Sequence, residues 1–185
     1  MEPAWMDLLN SDWHDYLGSG RSEDRLANPN WLKGFLRRWG GASQAVSPGR
    51  AAEALRELRS LLRSIVDAAV AGRPIPAKER DLLNSYLAGS PVVRHLKKAK
   101  KSYELQLLPV ARDLDFILSN IALSFAGVLA DGDPARIKTC ENSDCHWVFY
   151  DNSRNRSRRW CEGSGCGNLM KVRRFRQRQR KKTQT

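Results

Sequence analysis

The sequence predicts a mainly α-helical protein. Its larger N-terminal part carries one short β-hairpin, and a small cysteine-rich module of hairpin and helix closes the chain. Three observations lead there. Apolar residues recur at helical spacing through most of residues 28–130. Between 92 and 110 the period drops to two. All four cysteines fall between Cys140 and Cys166, directly before an arginine-rich tail.

The elements follow in order. In NPNWLKGFLRRWG (28–40), Asn28 can cap a helix, Pro29 suits its first turn, and Trp31, Leu32, Phe35, Leu36 and Trp39 share one face that reads as core. Residues 48–71 form a second helix with a stripe of Leu55, Leu58, Leu62, Ile65 and Ala69, and Gly72 stands where a C-terminal cap belongs. Arg56, Arg59 and Arg63 share another face, near Glu53 and Glu57. A third helix spans 77–88, between Pro76 and Gly89. In SYELQLL, Tyr103, Leu105 and Leu107 alternate with polar residues, the pattern of a half-buried strand. VVRHL is its partner and Lys97–Lys101 a solvated turn. A long apolar helix over 111–130 stops at Gly132, Asp133 and Pro134, which sets a domain boundary: residues 1–134, then 135–185. ARIKT (135–139) is a short extended lead-in to the cysteines.

Charge is distributed unevenly. The chain has 185 residues and a net charge of +12. Residues 140–185 hold 12 Lys/Arg against 4 Asp/Glu, and residues 1–139 hold 20 against 16. A quarter of the chain thus carries two thirds of the excess, which points to a polyanionic partner, nucleic acid first and an acidic membrane surface second. The N-terminus MEPAWMDLLNSDWHDY lacks the basic start of a secretory signal. The longest uncharged stretch, Phe116–Ala130, is shorter than the roughly 20 apolar residues of a membrane span. A cytoplasmic protein follows, without membrane attachment. In that compartment thiols stay reduced, so clustered cysteines hold metal more often than they form disulfides.

Cys140 and Cys145 enclose four residues, as do Cys161 and Cys166, and fifteen residues separate the pairs. Two such loops supply the four corners of a Zn²⁺ tetrahedron and leave no corner for water or substrate, so the site is structural. His146, beside Cys145, is not needed as a ligand. Between the pairs, HWVFYD (146–151) reads as a strand, NSRNRS as a turn and RRW (158–160) as the returning strand. GNLMKVRRFRQRQRKK then forms a helix that starts beside the metal, with Val172 and Phe175 packing back on the hairpin. A module of this size needs its metal to fold. Hairpin and helix around four thiolates resemble the treble-clef arrangement.

The tail supplies Lys171, Arg173, Arg174, Arg176 and Arg178, and the hairpin adds Arg154, Arg156, Arg158 and Arg159. Arginine's planar fork suits phosphate oxygens and guanine edges, so these nine are the candidate nucleic-acid residues. Trp147, Phe149, Tyr150 and Trp160 divide between core packing and stacking on unpaired bases. The only histidines, His14, His95 and His146, lack metalloprotease spacing, and no phosphate-cradling loop is present, so an enzyme is not expected.

The pattern C-x4-C-x-W-x-F-Y-D, then N-x-S-R-R-W-C, then C-G-N and a basic helix, resembles the CGNR zinc finger from Cys140 to about Arg180. The opening MDLLNSDWHDYLGSGRSEDRL is similar to the Asp-x-x-Asn-Ser/Thr start of the ABATE domain, on Asp7, Asn10 and Ser11. The resemblance implies a bacterial, stress-responsive transcription regulator. The finger binds DNA in association with the nucleoid, held by zinc on Cys140, Cys145, Cys161 and Cys166. The helical domain (1–134) senses a small-molecule ligand or dimerises, with Asp7 and Asn10 either facing that ligand or tying helix ends. One finger reads few base pairs, which favours a homodimer. The motif's arginine is Leu169 here. The alternatives are an RNA- or ribosome-associated binder and a zinc-stapled protein-interaction module.

Overall fold

The computed structural model describes residues 3–40 and 47–183. Its helices are α1 (Ala4–Leu9), α2 (Pro29–Gly40), α3 (Pro48–Val70), α4 (Ala77–Ala88), α5 (Leu114–Ala130) and α6 (Asn168–Thr183). Three two-stranded antiparallel ribbons join them: β1 (Asp12–His14) with β2 (Ser22–Asp24), β3 (Val92–Lys98) with β4 (Tyr103–Pro109), and β5 (Ile137–Thr139) with β6 (Val148–Tyr150).

Helix boundaries follow the local chemistry. Asn28 Oδ1 accepts from the N–H groups of Asn30 and Trp31 at 3.1 and 3.2 Å, capping α2 as expected. α3 ends in a Schellman turn: Arg73 N donates to Ala68 O, Gly72 N donates to Ala69 O, and Gly72 takes φ +65°, a conformation glycine adopts without penalty. Asp113 caps α5 through Phe116 N.

α3 runs through the middle of the core, burying Leu55, Leu58, Leu62 and Ile65 completely. α1 lays Trp5, Leu8 and Leu9 against it, and Trp5 meets Phe125 of α5 with ring centroids 5.3 Å apart. Each such side chain contributes roughly 1.5–3 kcal/mol by leaving water. The arginines of α3 reach out to a neighbouring segment. Arg56 and Arg59 both grip Asp24, at 2.6 and 2.7 Å, rather than the glutamates of their own helix.

Two further expectations change. The alternation in residues 92–110 does produce a hairpin, but an exposed one: Leu96, Tyr103, Leu105 and Leu107 are each more than 60 % exposed. α4 and α5 pack on each other and leave the ribbon outboard, so its apolar face stays largely in water. The C-terminal ribbon is also differently built. β6 pairs with the lead-in strand β5, Ile137 opposite Tyr150 and Thr139 opposite Val148, not with residues 158–160. Residues on either side of the first cysteine pair are already adjacent, and Cys140 N donating to Trp147 O at 2.8 Å closes the ladder. The 158–160 segment is instead held as a loop, with Glu141 N donating to Arg159 O.

Ile137 and Val148 belong to the same buried cluster as the helices. The seam is fastened by Asn10, whose side chain donates to Val148 O at 3.0 Å and accepts from Val148 N at 2.8 Å, copying a strand neighbour inside a buried interface. Replacing Asn10 by Ala strands both backbone groups, which costs about 2–4 kcal/mol. Urea unfolding followed by circular dichroism and by tryptophan fluorescence should show that loss as one shared shift of a single transition.

Candidate metal centre and nucleic-acid interface

Cys140 directly follows β5 and Cys145 precedes β6, so the first pair sits on the turn of the β5–β6 ribbon. His146 adopts φ +56°, a left-handed conformation that costs a non-glycine residue about 1–2 kcal/mol. It turns the chain so that the Trp147 N–H reaches the Cys145 sulfur, while the N–H groups of Asn142 and Cys161 serve Cys140. The second pair spans a wide turn, Gly163–Gly167, that runs into α6. Gly167 N donates to Glu162 O, and a Cβ at Gly167 would stand 3.3 Å from that oxygen. Cys166 is thereby set at the N-terminal end of α6, where the helix dipole favours negative charge.

All four sulfurs lie within 4.8 Å of one another. Cys145 to Cys161 is 3.7 Å and Cys161 to Cys166 is 3.8 Å. Thiolates bound tetrahedrally at about 2.3 Å stand about 3.8 Å apart, so the cage fits such an ion. His146 is not among the clustered ligands, and its ring lies tilted against His14 with centroids 4.5 Å apart. Crowding separates the thiols' acidities. Hydrogen bonds from Cys145 and Cys161 draw Cys140 down to about 2, and the Cys140 thiolate so formed pushes Cys145 up to about 12 and Cys161 up as well. A cation reverses that conflict by rewarding every thiolate at once.

The nine basic candidates divide into two groups. Four hold the module together. Arg156 pairs with Asp133 at 2.7 Å. Arg158 lies over the Phe149 ring and donates to the carbonyls of Trp160 and Cys161. Arg159 forks onto Glu141. Arg173 donates to Asp144 at 2.8 Å and to Leu17 O at 3.0 Å. A Cβ at Gly18, which has φ +89°, would lie 2.9 Å from Arg173 Nη2, so the 15–21 loop closes directly on α6. The other five, Arg154, Lys171, Arg174, Arg176 and Arg178, are exposed, Arg174 resting over the Trp160 ring at 5.4 Å. Val172 and Phe175 do not pack back on the ribbon. They are 38 % and 62 % exposed, because α6 leaves the body after its first turn. Leu169, in the place of the motif arginine, is half-buried. Of the four aromatics, Phe149 is buried and Trp147, Tyr150 and Trp160 are half-buried.

Asp7 and Asn10 spend their polar atoms on the protein. Asp7 accepts from Arg38 at 2.5 Å and Trp39 Nε1 at 2.8 Å, and Asn10 holds Val148. Ser11 accepts from Arg59 at 2.8 Å, so each polar position of the opening motif ties α1 to a different neighbour.

Sequence reasoning passed over two residues that organise the site. Asn142 donates to Tyr16 O at 2.9 Å and reaches the Cys166 sulfur at 3.5 Å. Asp151 is fully buried and gathers Lys138 Nζ at 2.6 Å, both the N–H and hydroxyl of Ser153, and Arg158 N. Their signals were Asn-Ser-Asp and Asp-Asn-Ser, turn-forming triplets in which the first side chain caps the following backbone.

This ribbon, cage and helix, seated on a helical body, define a protein of the four-cysteine zinc-finger class joined to an N-terminal helical domain. The family model described as "Putative stress-induced transcription regulator", ABATE, matches residues 2–132, and the CGNR zinc finger model matches 136–179. The chain belongs to the ABATE family and ends in a CGNR zinc finger. No curated protein matches it.

Burial alone would raise the Asp151 carboxyl, but Lys138, Ser153 and the Arg158 N–H override it and hold the group well below the ordinary carboxylate range. A depressed carboxylate stabilises the fold above its unfolded pKa and loses that contribution as pH falls toward its folded one. Asp151→Asn should therefore melt below wild type by a margin that is flat from pH 8 to 5. The margin narrows only below about pH 4, where the unfolded carboxylate takes its proton. A melting-temperature series across pH checks this.

Proposed function

We propose that the protein is a DNA-binding transcription regulator of the cytoplasm, a binding protein rather than an enzyme. Its finger holds one structural Zn²⁺ on Cys140, Cys145, Cys161 and Cys166. The observation that carries the reading is the position of the sulfur cage at the root of α6, with Arg173 clasped one turn further on. A helix fixed at its base presents Lys171, Arg174, Arg176 and Arg178 as a rigid set, so phosphate contact costs little ordering entropy. A cage of four thiolates around Zn²⁺ carries −2 and leaves no open corner, which suits a staple and not a catalyst. The family descriptions, a transcription regulator and a zinc finger, support the same reading.

Metal analysis of reduced protein should return one zinc per chain, and chelation should abolish the helical signal of α6. Cys145→Ser should reproduce the effect without chelator. Titration with duplex DNA should give an affinity that falls steeply with salt. The Lys171→Ala/Arg176→Ala/Arg178→Ala variant should reduce the slope of log affinity against log salt by about 3, roughly one for each phosphate no longer neutralised. Its melting temperature should not change, whereas Arg173→Ala should lower it. Absence of binding at about 50 mM salt, where attraction to phosphate is strongest, overturns the proposal.

A further inference from the structure

Among the described residues, eight of the fourteen exposed large hydrophobic side chains fall between Val92 and Val110. They are not scattered. In the register of β3 with β4, Val92, Arg94, Leu96 and Lys98 share one face with Pro109, Leu107, Leu105 and Tyr103. The β4 row of that face is apolar from end to end, and cations enter only the β3 row. The opposite face is mixed: His95, Lys97, Glu104 and Gln106 are at home in water, and only the Val93–Leu108 pair at its far end is apolar. Of the fourteen strand residues, only Gln106 and Pro109 are even half-buried. A two-stranded ribbon so exposed is marginal alone in water and gains stability from a covered face.

We propose that this face is closed in solution by the same face of a second copy of the chain, the two ribbons stacked antiparallel about a two-fold axis with their β4 rows in contact. Size supports this occupant. The face leaves on the order of 600 Å² of apolar surface in water, at the top of the range for a monomer and approaching the roughly 800 Å² per partner of a standard interface. Charge sets the arrangement. Residues 92–110 hold five Lys/Arg and one Glu, four of the cations being lysines of the turn at 97–101. An antiparallel stack sends the two lysine turns to opposite ends, separated by about 20 Å of strand, twice the screening length of ordinary buffer. Arg94 and Lys98 occupy the outer row, where long stems cover apolar surface and the charged heads stay in water. Nucleic acid would use the turn lysines and leave the uncharged β4 row exposed. A second β4 row covers it.

The test is sedimentation velocity on the full-length, zinc-loaded, nuclease-treated protein over about 1–100 µM, the range expected of a modest interface. The mass should rise with concentration from 21.0 kDa toward twice that value. Leu105→Asp and Leu107→Asp should each weaken association at least tenfold with unchanged zinc content and monomer melting temperature, because both side chains are exposed in the single chain. Val172→Asp, on α6, should leave association intact. A monomer at every concentration overturns the proposal, as does a dimer indifferent to Leu105→Asp. So does a monomeric wild type whose Leu105 variant instead loses affinity for anionic vesicles or DNA. Self-association is read without DNA, so failure of DNA binding leaves this result standing.

Discussion

Four sulfurs held within 4.8 Å of one another cannot all be thiolates unless a cation sits between them. That constraint organises the C-terminal quarter of the molecule. The backbone turns aim N–H groups at the Cys140 and Cys145 sulfurs, Asn142 approaches the Cys166 sulfur, and α6 begins two residues after Cys166, at Asn168, with its positive end toward the cluster. Each device lowers the cost of negative charge, and none suffices alone, since the Cys140 thiolate still pushes Cys145 and Cys161 up and these two join it in the ionised form only beside a cation. A cation among the four sulfurs would let the ribbon and the helix share one small centre.

The same centre is fastened to the helical body more firmly than a two-domain sequence suggests. Ile137 and Val148 are core residues of the helices' own cluster. Asn10 completes the β6 edge from α1, Tyr16 O accepts from Asn142, and Leu17 O accepts from Arg173. The loop carrying Tyr16 and Leu17 is itself pinned by Asp15, which accepts from the Ser19 hydroxyl and Leu17 N. The direction in which α6 leaves the body is thus set at two points, by the sulfurs at its base and by the N-terminal loop against Arg173. A rearrangement of α1 or of that loop has a direct mechanical route to α6, through hydrogen bonds rather than through a linker.

Much of this was legible in the sequence. Period and caps gave α2, α3 and α4 nearly to the residue, because Asn28, Gly72 and Gly89 act locally and need no tertiary information. The paired cysteine spacing located the cluster of four sulfurs for the same reason. What failed depends on which partner a segment finds. HWVFYD reads equally well as the mate of RRW or of IKT, and the choice falls to IKT because the first cysteine pair already brings those residues together. Tyr103, Leu105 and Leu107 alternate like a half-buried strand, but alternation states only that one face is apolar, not that the same chain covers it. Val172 and Phe175 fall on one stripe of α6, yet the Arg173 clasp orients the helix away from the ribbon.

The arginines show how composition misleads when every charge is counted alike. The module's basic residues form one block in sequence, but the fold spends Arg156, Arg158, Arg159 and Arg173 on Asp133, backbone carbonyls, Glu141 and Asp144. Partly exposed pairs of this kind contribute little net stability each, so their value lies in geometry. They fix the loop and helix that carry the remaining cations. Residues 1–139 show the same economy: outside 92–110 their acidic and basic residues balance, so the whole excess of that part lies on the projecting ribbon. The net positive charge of the chain therefore falls on two stretches, residues 140–185 and the β3–β4 hairpin with its lysine turn. A chain selected merely for solubility has no reason to neutralise its body so evenly while leaving two protruding elements cationic. Charge placed on protrusions acts on what approaches from outside, and the body's neutrality keeps that field from being averaged over the surface.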